Sequence, residues 1–396
     1  MQTLIELYDE RPMENVLSTE MFRPARTVFI CPAKVAVDRD LRDKLIEYFR
    51  HRGVDARLTF LGTSLLDAEK VANCIRQAVR RYPDCAVDIS GGTDAALFAA
   101  GMVCAEQALP AFTFSRRQGK FFEIRNAPFA RDLPCNIRLD VESCFLMAGG
   151  SLREGRVDNQ ILSNYFDWID PFFATYLNHR RIWTQAVTYI QRVSQSHQGE
   201  TGEAALQAEG ALKVRGEHGG TLDAPVELLQ SLEAIGMIDA LKVGDEALSF
   251  RFHDAQTRKW LRDVGSVLEI KVYKDCVESR MFDDVVTSAV VDWAGEKQRD
   301  GVSNEIDVMA THGVVPVFIS CKTCDVRTEA LNELAVLRDR FGGQGARAAI
   351  VTAETGGAAM RKRASELDID VIDLRDIEDG ALKERLASLA WTRDAR

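Results

Sequence analysis

No run of about 18 apolar residues occurs in this chain of 396, which excludes a membrane-spanning helix. The N-terminus, Met1-Gln2-Thr3-Leu4-Ile5-Glu6, lacks the basic-then-apolar pattern of a secretory signal. A paired cysteine framework is lacking as well. The nine cysteines are scattered and odd in number, as expected in a reducing cytoplasm. Cys321-Lys322-Thr323-Cys324 is a lone C-x-x-C with no second pair, and the six histidines show no ligand spacing, which argues against structural zinc. Excess positive charge is missing too. A formal net charge of −10 rules out a general nucleic-acid coat, so any nucleic-acid contact must be a local patch. What is present is ordinary soluble material, 46% hydrophobic and 28% charged, enough for more than one core. The length predicts two or three domains.

Residues 1–150 alternate strand and helix patterns. Thr3–Tyr8, Thr27–Cys31, Asp55–Leu61 and Cys85–Ser90 read as strands. Arg39–Arg52 reads as an amphipathic helix with Leu41, Leu45, Ile46 and Phe49 on one face. Asp67–Tyr82 reads as a second helix, with Asp67 as its N-cap. Gly91-Gly92-Thr93 opens an Ala-rich helix over Asp94–Ala108. Pro110–Ser115 and Lys120–Arg125 form a predicted hairpin about Gln118-Gly119. Strands alternating with helices predict a doubly wound parallel sheet.

Residues 151–221 read as a helical connector carrying Tyr165, Phe166, Trp168, Phe172, Phe173, Tyr176 and Trp183. From residue 194 onward this stretch is Gly- and polar-rich and reads as a mobile linker. Residues 222–257 outline a winged-helix-like module, with a helix over Val226–Ile235 and strands over Leu241–Val243 and Leu248–Phe252. Its helix carries no basic residue over Leu228–Glu233, so it suits packing as well as DNA reading. Residues 258–396 read as a helix from Gly265 to about Trp293, a hairpin over 304–322, a helix over Arg327–Phe341, a strand over Arg347–Thr352, a helix, a strand from Asp370 and a terminal helix. That α-β-β-α-β order suits a restriction-endonuclease-like core.

The hairpin carries the sharpest chemistry. In Asn304-Glu305-Ile306-Asp307-Val308, two acids two apart on a strand share a face. The chain turns at His312-Gly313 and returns to Ile319-Ser320-Cys321-Lys322. With an even-numbered turn, Ser320 and Lys322 share the face of Glu305 and Asp307. Carboxylates beside a lysine can hold a divalent metal and stabilise a pentavalent phosphate. Glu269, near the start of the preceding helix, can point back at this face. The expected metal ligands are hard oxygens, from Glu269, Asp307 and the carbonyl of Cys321, and they suit Mn²⁺ or Mg²⁺. Lys322 is expected to orient water or hold the scissile phosphate. Glu305 is an alternate ligand, and Ser320 ranks below the rest. The competing reading is an amphipathic strand that shows its acids to water.

A second constellation is Asp88-Ile89-Ser90-Gly91-Gly92-Thr93-Asp94. A strand that ends in Gly-Gly-Thr at a helix N-terminus exposes backbone N–H groups to an anion, and Thr93 can add a hydroxyl. The place is the carboxyl end of a parallel strand, where open α/β sheets bind ligands. A tight βα turn with no ligand accounts for the same residues.

The hairpin residues resemble the PD-(D/E)xK nuclease superfamily, in which an Asp is followed by an acidic-x-Lys triplet. Ser320 stands where the second acid normally sits. Either Glu305 or a main-chain carbonyl makes up the ligand, or the metal is held less tightly. Both ends together resemble the CRISPR-associated Rossmann-fold (CARF) nucleases over nearly the whole chain. That resemblance implies an N-terminal Rossmann-like domain that dimerises and binds a cyclic oligoadenylate, usually cyclic tetra-adenylate. It also implies a metal-dependent C-terminal nuclease that cuts single-stranded DNA or RNA, or nicks DNA, in type III CRISPR defence. It places Tyr8, Asp9, Arg11, Asn15, Pro32 and Lys34 at the ligand rim, with Ser90, Gly91, Gly92, Thr93 and Asp94. The family usually has Lys or Arg where this chain has Asp94, so either Lys34 or Arg11 supplies a compensating cation, or the chain binds a different ligand or has lost ring-nucleotide sensing. Two other readings stand beside the gated nuclease. One is a nucleotide-sensing binding protein with an inactive nuclease fold, and the other is an ungated repair-type nuclease.

Overall fold

The computed structural model describes residues 1–154, 161–195, 202–216, 220–293, 303–343 and 345–391. In the N-terminal part, buried runs such as Thr3–Leu7 form strands because every side chain on both faces is covered. The strands are β1 (Thr3–Leu7), β2 (Arg26–Pro32), β3 (Arg57–Thr63), β4 (Cys85–Asp88), β5 (Ala111–Ser115), β6 (Lys120–Arg125) and β7 (Leu133–Pro134). They make one sheet in the order β3-β2-β1-β4-β5-β6-β7, parallel as far as β5. The strand order reverses between β1 and β4, so the crevice above their carboxyl ends is the natural ligand position. Ile5, Val28, Ile30 and Val87 pack one face on the helices Ala68–Arg81 and Asp94–Gln107. Asp67 caps the first of these by accepting the Lys70 N–H.

The C-terminal sheet is built from β8 (Ser151–Glu154), β14 (Asp284–Asp292), β15 (Ser303–His312), β16 (Val315–Lys322), β17 (Arg347–Thr352) and β18 (Asp370–Ile372). Its order is β18-β17-β16-β15-β14-β8. Strands β14, β15 and β16 run antiparallel in succession, and β16, β17 and β18 are parallel. On one face lie the helix Ser266–Ser279 and the middle module, packed around Val267, Val308, Val317 and Val351. On the other face Met309, Phe318 and Ile350 join Leu4, Phe29 and Phe112 of the first sheet in a shared apolar core. The two sheets are therefore packed through common side chains.

Three sequence expectations are corrected. The long helix does not reach Trp293. It stops at Ser279, where Arg280 adopts φ 56, and the chain then enters β14. The order is thus α-β-β-β-α-β. The stretch from residue 194 is not wholly linker. Residues 196–201 and 217–219 lie outside the described residues, but β9 (Gln207–Ala211) pairs with β13 (Ala247–Phe252), which also pairs with β12 (Ile238–Val243). A small ladder of β10 (Lys213–Arg215) with β11 (Thr221–Asp223) follows β9. Residues 151–154 are sheet rather than connector, because β14 offers them an edge.

Candidate active site and ligand pocket

The hairpin turn is Gly313-Val314, closed by the pair His312 and Val315, with Gly313 at φ 56. A two-residue turn with a left-handed first position suits glycine there. The β15–β16 pairing runs from this turn to Val308 opposite Ile319. Just beyond it the Asp307 carboxylate takes the place of a ladder partner. Asp307 Oδ2 accepts the Cys321 N–H at 2.6 Å, the Ser320 hydroxyl at 3.1 Å and the Lys322 ammonium at 3.3 Å. Thr287 Oγ1 holds the Asp307 carbonyl at 2.9 Å. Every one of these side-chain contacts uses Oδ2, and Oδ1 has no partner among the described residues. The strand end is thus anchored by one oxygen while the other is open to a ligand.

Glu269 lies in the first turn of the helix Ser266–Ser279. Its carboxylate folds over Gly265, where an added Cβ would stand 2.7 Å from Oε1. It has no hydrogen-bond partner among the described residues. Burial, then the charges of Asp307, Asp263 and Glu305, push its carboxyl up to about 8, against the opposing pull of Lys322. Burial lowers the Lys322 ammonium, but Asp307 and then Cys321 and Glu269 hold it above its ordinary value. The Cys321 thiol is buried, and burial, then Asp307, push it well up. Several carboxylates gathered around one lysine, one of them with an open oxygen, are a donor set that a hard divalent metal could use. Among the described residues no three His, Cys, Asp or Glu side chains converge on a metal position. Of the candidate ligands, Asp307 and Glu269 are the two carboxylates that influence each other, and Asp307 is tied to the Cys321 backbone.

The pocket candidates gather at the carboxyl ends of β1 and β4. Asp9 Oδ2 accepts the Gly92 N–H at 2.7 Å, and Arg11 grips the same carboxylate through Nε at 2.9 Å and Nη2 at 2.8 Å. Burial raises Asp9, but Arg11 and the two backbone N–H groups together hold it below the usual carboxylate range. Asn15 is buried and clamps both backbone groups of Asp9. Gly91 has no room for a side chain, since a Cβ would meet Glu14 at 2.8 Å and Asp9 at 3.0 Å. Ser90 donates to Asp88 and accepts the Phe114 N–H at 2.7 Å. The expected open anion cradle is corrected here. The Gly92 N–H is filled by Asp9, and the Thr93 hydroxyl caps the helix through Ala96 and donates to the Leu65 carbonyl at 2.5 Å. Arg11 belongs to Asp9 and does not compensate Asp94, which is exposed on the first turn of its helix. Pro32 ends β2 and leads into the short helix Ala33–Val37, where Lys34 is exposed. Tyr8 is half-buried, and burial raises its hydroxyl.

Residues 254–393 match the family model described as Card1-like, endonuclease domain. The match covers the C-terminal third of the chain and is a likeness to that endonuclease domain. No curated protein matches the chain in sequence. Among solved structures, protein VC1899 from Vibrio cholerae is 18% identical with a TM-score of 0.75, covering 99% of this chain and 98% of that one. Can2 from Sulfobacillus thermosulfidooxidans, solved in complex with cyclic tetra-adenylate, is 15% identical with a TM-score of 0.68, covering 98% and 97%. The whole chain thus has their fold, with a Rossmann-like N-terminal domain, a winged-helix-like middle module and a restriction-endonuclease-like C-terminal domain. The matched segment contains all five nuclease candidates. Asp307, Ser320 and Lys322 meet through one oxygen, and Glu269 and Glu305 lie within electrostatic reach.

Two groups near the pocket escaped sequence reasoning. Arg116, just after β5, lies 2.9 Å from Glu14 beneath Gly91. Glu6 and Asp88 are register neighbours on β1 and β4, both buried. Burial, then the adjacent Asp88, raise the Glu6 carboxyl well above its ordinary value. The available signal was Glu6 itself, the lone charge in Thr3-Leu4-Ile5-Glu6-Leu7.

Proposed function

We propose that this chain is a cyclic-oligoadenylate-activated, metal-dependent endonuclease of type III CRISPR defence. Activator binds in the crevice over β1 and β4, and phosphodiester hydrolysis takes place at Glu269, Asp307 and Lys322. The observation that carries the reading is the Asp307 carboxylate. One of its oxygens is anchored by Ser320, Cys321 and Lys322, and the other is open beside the crowded Glu269. A Mn²⁺ or Mg²⁺ ion held by Glu269, Asp307 and the Cys321 carbonyl would polarise the scissile phosphate and lower the pKa of its bound water. Lys322 stands where it can hold a phosphate oxygen as negative charge develops. Ser320 contributes a hydrogen bond that fixes Asp307 rather than a charge.

The Can2 complex supports cyclic tetra-adenylate as the activator, and the crevice at the strand-order reversal supports its place. A two-fold ring suits two copies of the N-terminal domain. The helix Asp94–Gln107 supports this, because Phe98 and Met102 project outward one turn apart while Ala99 and Val103 are buried inward. The free thiols and the lack of a membrane-spanning helix among the described residues suit a cytoplasmic protein. The proposed domain limits are 1–150, 151–221, 222–257 and 258–396, with Ser151–Glu154 joining the C-terminal sheet and Gln207–Ala211 joining the sheet of the middle module.

A second reading is a nucleotide-sensing binding protein with an inactive nuclease. It is favoured by Ser320, which supplies a hydroxyl where the superfamily has an acid. Incubating the protein with labelled single-stranded DNA, single-stranded RNA and supercoiled plasmid, with metal and with or without cyclic tetra-adenylate, separates the two. Activator binding without cleavage would favour the second.

A further inference from the structure

The helix Ala255–Leu261 precedes the catalytic helix, and a capping box between Asp254 and Thr257 fixes its start. It carries Arg258, and Arg262 follows at its C-cap, four residues on and on the same side. Both are partly buried, and the Nε of each is shut off from solvent without a hydrogen-bond partner. Among the described residues neither guanidinium has an acidic partner, and the charge acting on Arg262 is Arg258 itself, which with burial lowers it. Like charges at this spacing destabilise a helix. Buried polar nitrogens left unpaired cost more. A helix C-terminus attracts cations, but that does not account for two arginines four apart with no acidic partner among the described residues.

The surroundings are rigid. The Arg262 carbonyl accepts from Gln191 Nε2 at 2.6 Å, and the Val264 carbonyl accepts from Trp183 Nε1 at 3.1 Å. Asp263 takes the Ser266 N–H at 2.7 Å and so starts the catalytic helix. Glu269 folds over Gly265, three residues from Arg262. Three virtual bonds place those two Cα atoms within about 11 Å. The arginine pair thus lies in the segment that leads directly into the turn covered by Glu269.

We infer that Arg258 and Arg262 form a clamp for the phosphodiester backbone of the substrate strand, beside the cleavage site. Guanidinium forks match phosphate oxygens in pairs, and two adjacent phosphates would relieve the mutual repulsion. The clamp rests on the nuclease reading of the adjoining site, and its test does not depend on cleavage.

The test is fluorescence anisotropy of the full-length chain with labelled single-stranded DNA and RNA of one sequence, in EDTA, across a salt series, with and without cyclic tetra-adenylate. Arg258→Gln/Arg262→Gln is expected to bind about 10- to 100-fold more weakly. Its dependence of log affinity on log salt should be shallower by about 1.4, the share of two phosphates on a single strand. Arg258→Lys/Arg262→Lys should recover the slope and part of the affinity. Thermal stability of the glutamine pair should match or exceed that of the parent, since a repulsion is removed. If the double variant does not fold, each single variant carries the test with a slope change of about 0.7. The DNA and RNA arms show which backbone is preferred. Unchanged affinity and slope, or a parent that binds no oligonucleotide, overturns the clamp. A parent that cuts while the glutamine pair binds normally leaves the nuclease standing without it. A parent that never cuts but loses its slope with the arginines leaves the clamp standing alone.

Discussion

The carboxylate of Asp9 rests on the backbone N–H of Gly92 at 2.7 Å, across 83 residues of sequence, and is itself gripped by Arg11. A protein anion thus occupies the position that a glycine-rich helix entry offers to phosphate. An anionic ligand entering this crevice competes with Asp9 and draws on Arg11.

Replacing Asp9 with Asn keeps an acceptor for Gly92 and removes the negative charge beside the crevice, while Arg11 still faces Glu14. Asp9→Asn is expected to bind cyclic tetra-adenylate more tightly, by about 1 kcal/mol for a partly screened charge. Titration calorimetry reads this directly. Loss of binding would mean that Asp9 is itself a ligand contact, to an amine or a ribose hydroxyl.

Asp307→Ala and Lys322→Ala should each lower cleavage by at least about two orders of magnitude. Ser320→Ala should cost less, since it removes one of three donors to Asp307. Circular dichroism and activator binding should match the parent. Parent-like cleavage by Asp307→Ala would move the chemistry elsewhere.

The Glu6 carboxyl gives a pH signature. Its folded value lies well above 4.5, raised by burial and then by Asp88. The folded chain therefore holds a proton that the unfolded chain releases, and stability falls as pH rises above about 4.5 toward the folded value. Glu6→Gln removes that dependence. Denaturant unfolding should show Glu6→Gln gaining stability relative to the parent as pH rises from 5 to 8. A constant difference at both pH values would contradict the assignment.

Phe98→Glu places a charge on the outward face of the helix Asp94–Gln107, where Phe98 is 65% exposed. If that face joins two copies, light scattering should report a dimer for the parent and a monomer for the variant. A parent that is monomeric at micromolar concentration, with and without ligand, would exclude the dimer.

The alternating pattern of the first domain was legible because buried parallel strands and amphipathic helices have distinct periods. The hairpin face was legible for the same reason, as its two-residue turn preserves the alternation. Strand β14 was not legible. The helix before it ends at Arg280 in a left-handed conformation with no glycine to mark the stop, and only Met281-Phe282-Asp283 separate it from the strand. Strand β9, Gln-Ala-Glu-Gly-Ala, has little intrinsic strand preference and owes its form to the edge of β13. The Asp9–Gly92 bond and the Arg116–Glu14 pair join residues far apart in the chain, and no local pattern encodes them.

The most direct test of a ring-nucleotide-gated, metal-dependent nuclease is cleavage by the full-length chain of labelled single-stranded DNA and RNA in four reactions, with and without Mn²⁺ and with and without cyclic tetra-adenylate. Product is expected only where both are present, with its loss in excess EDTA and its return when Mn²⁺ is restored. Equal cleavage without the ring nucleotide, or full cleavage in chelator, would contradict that mechanism.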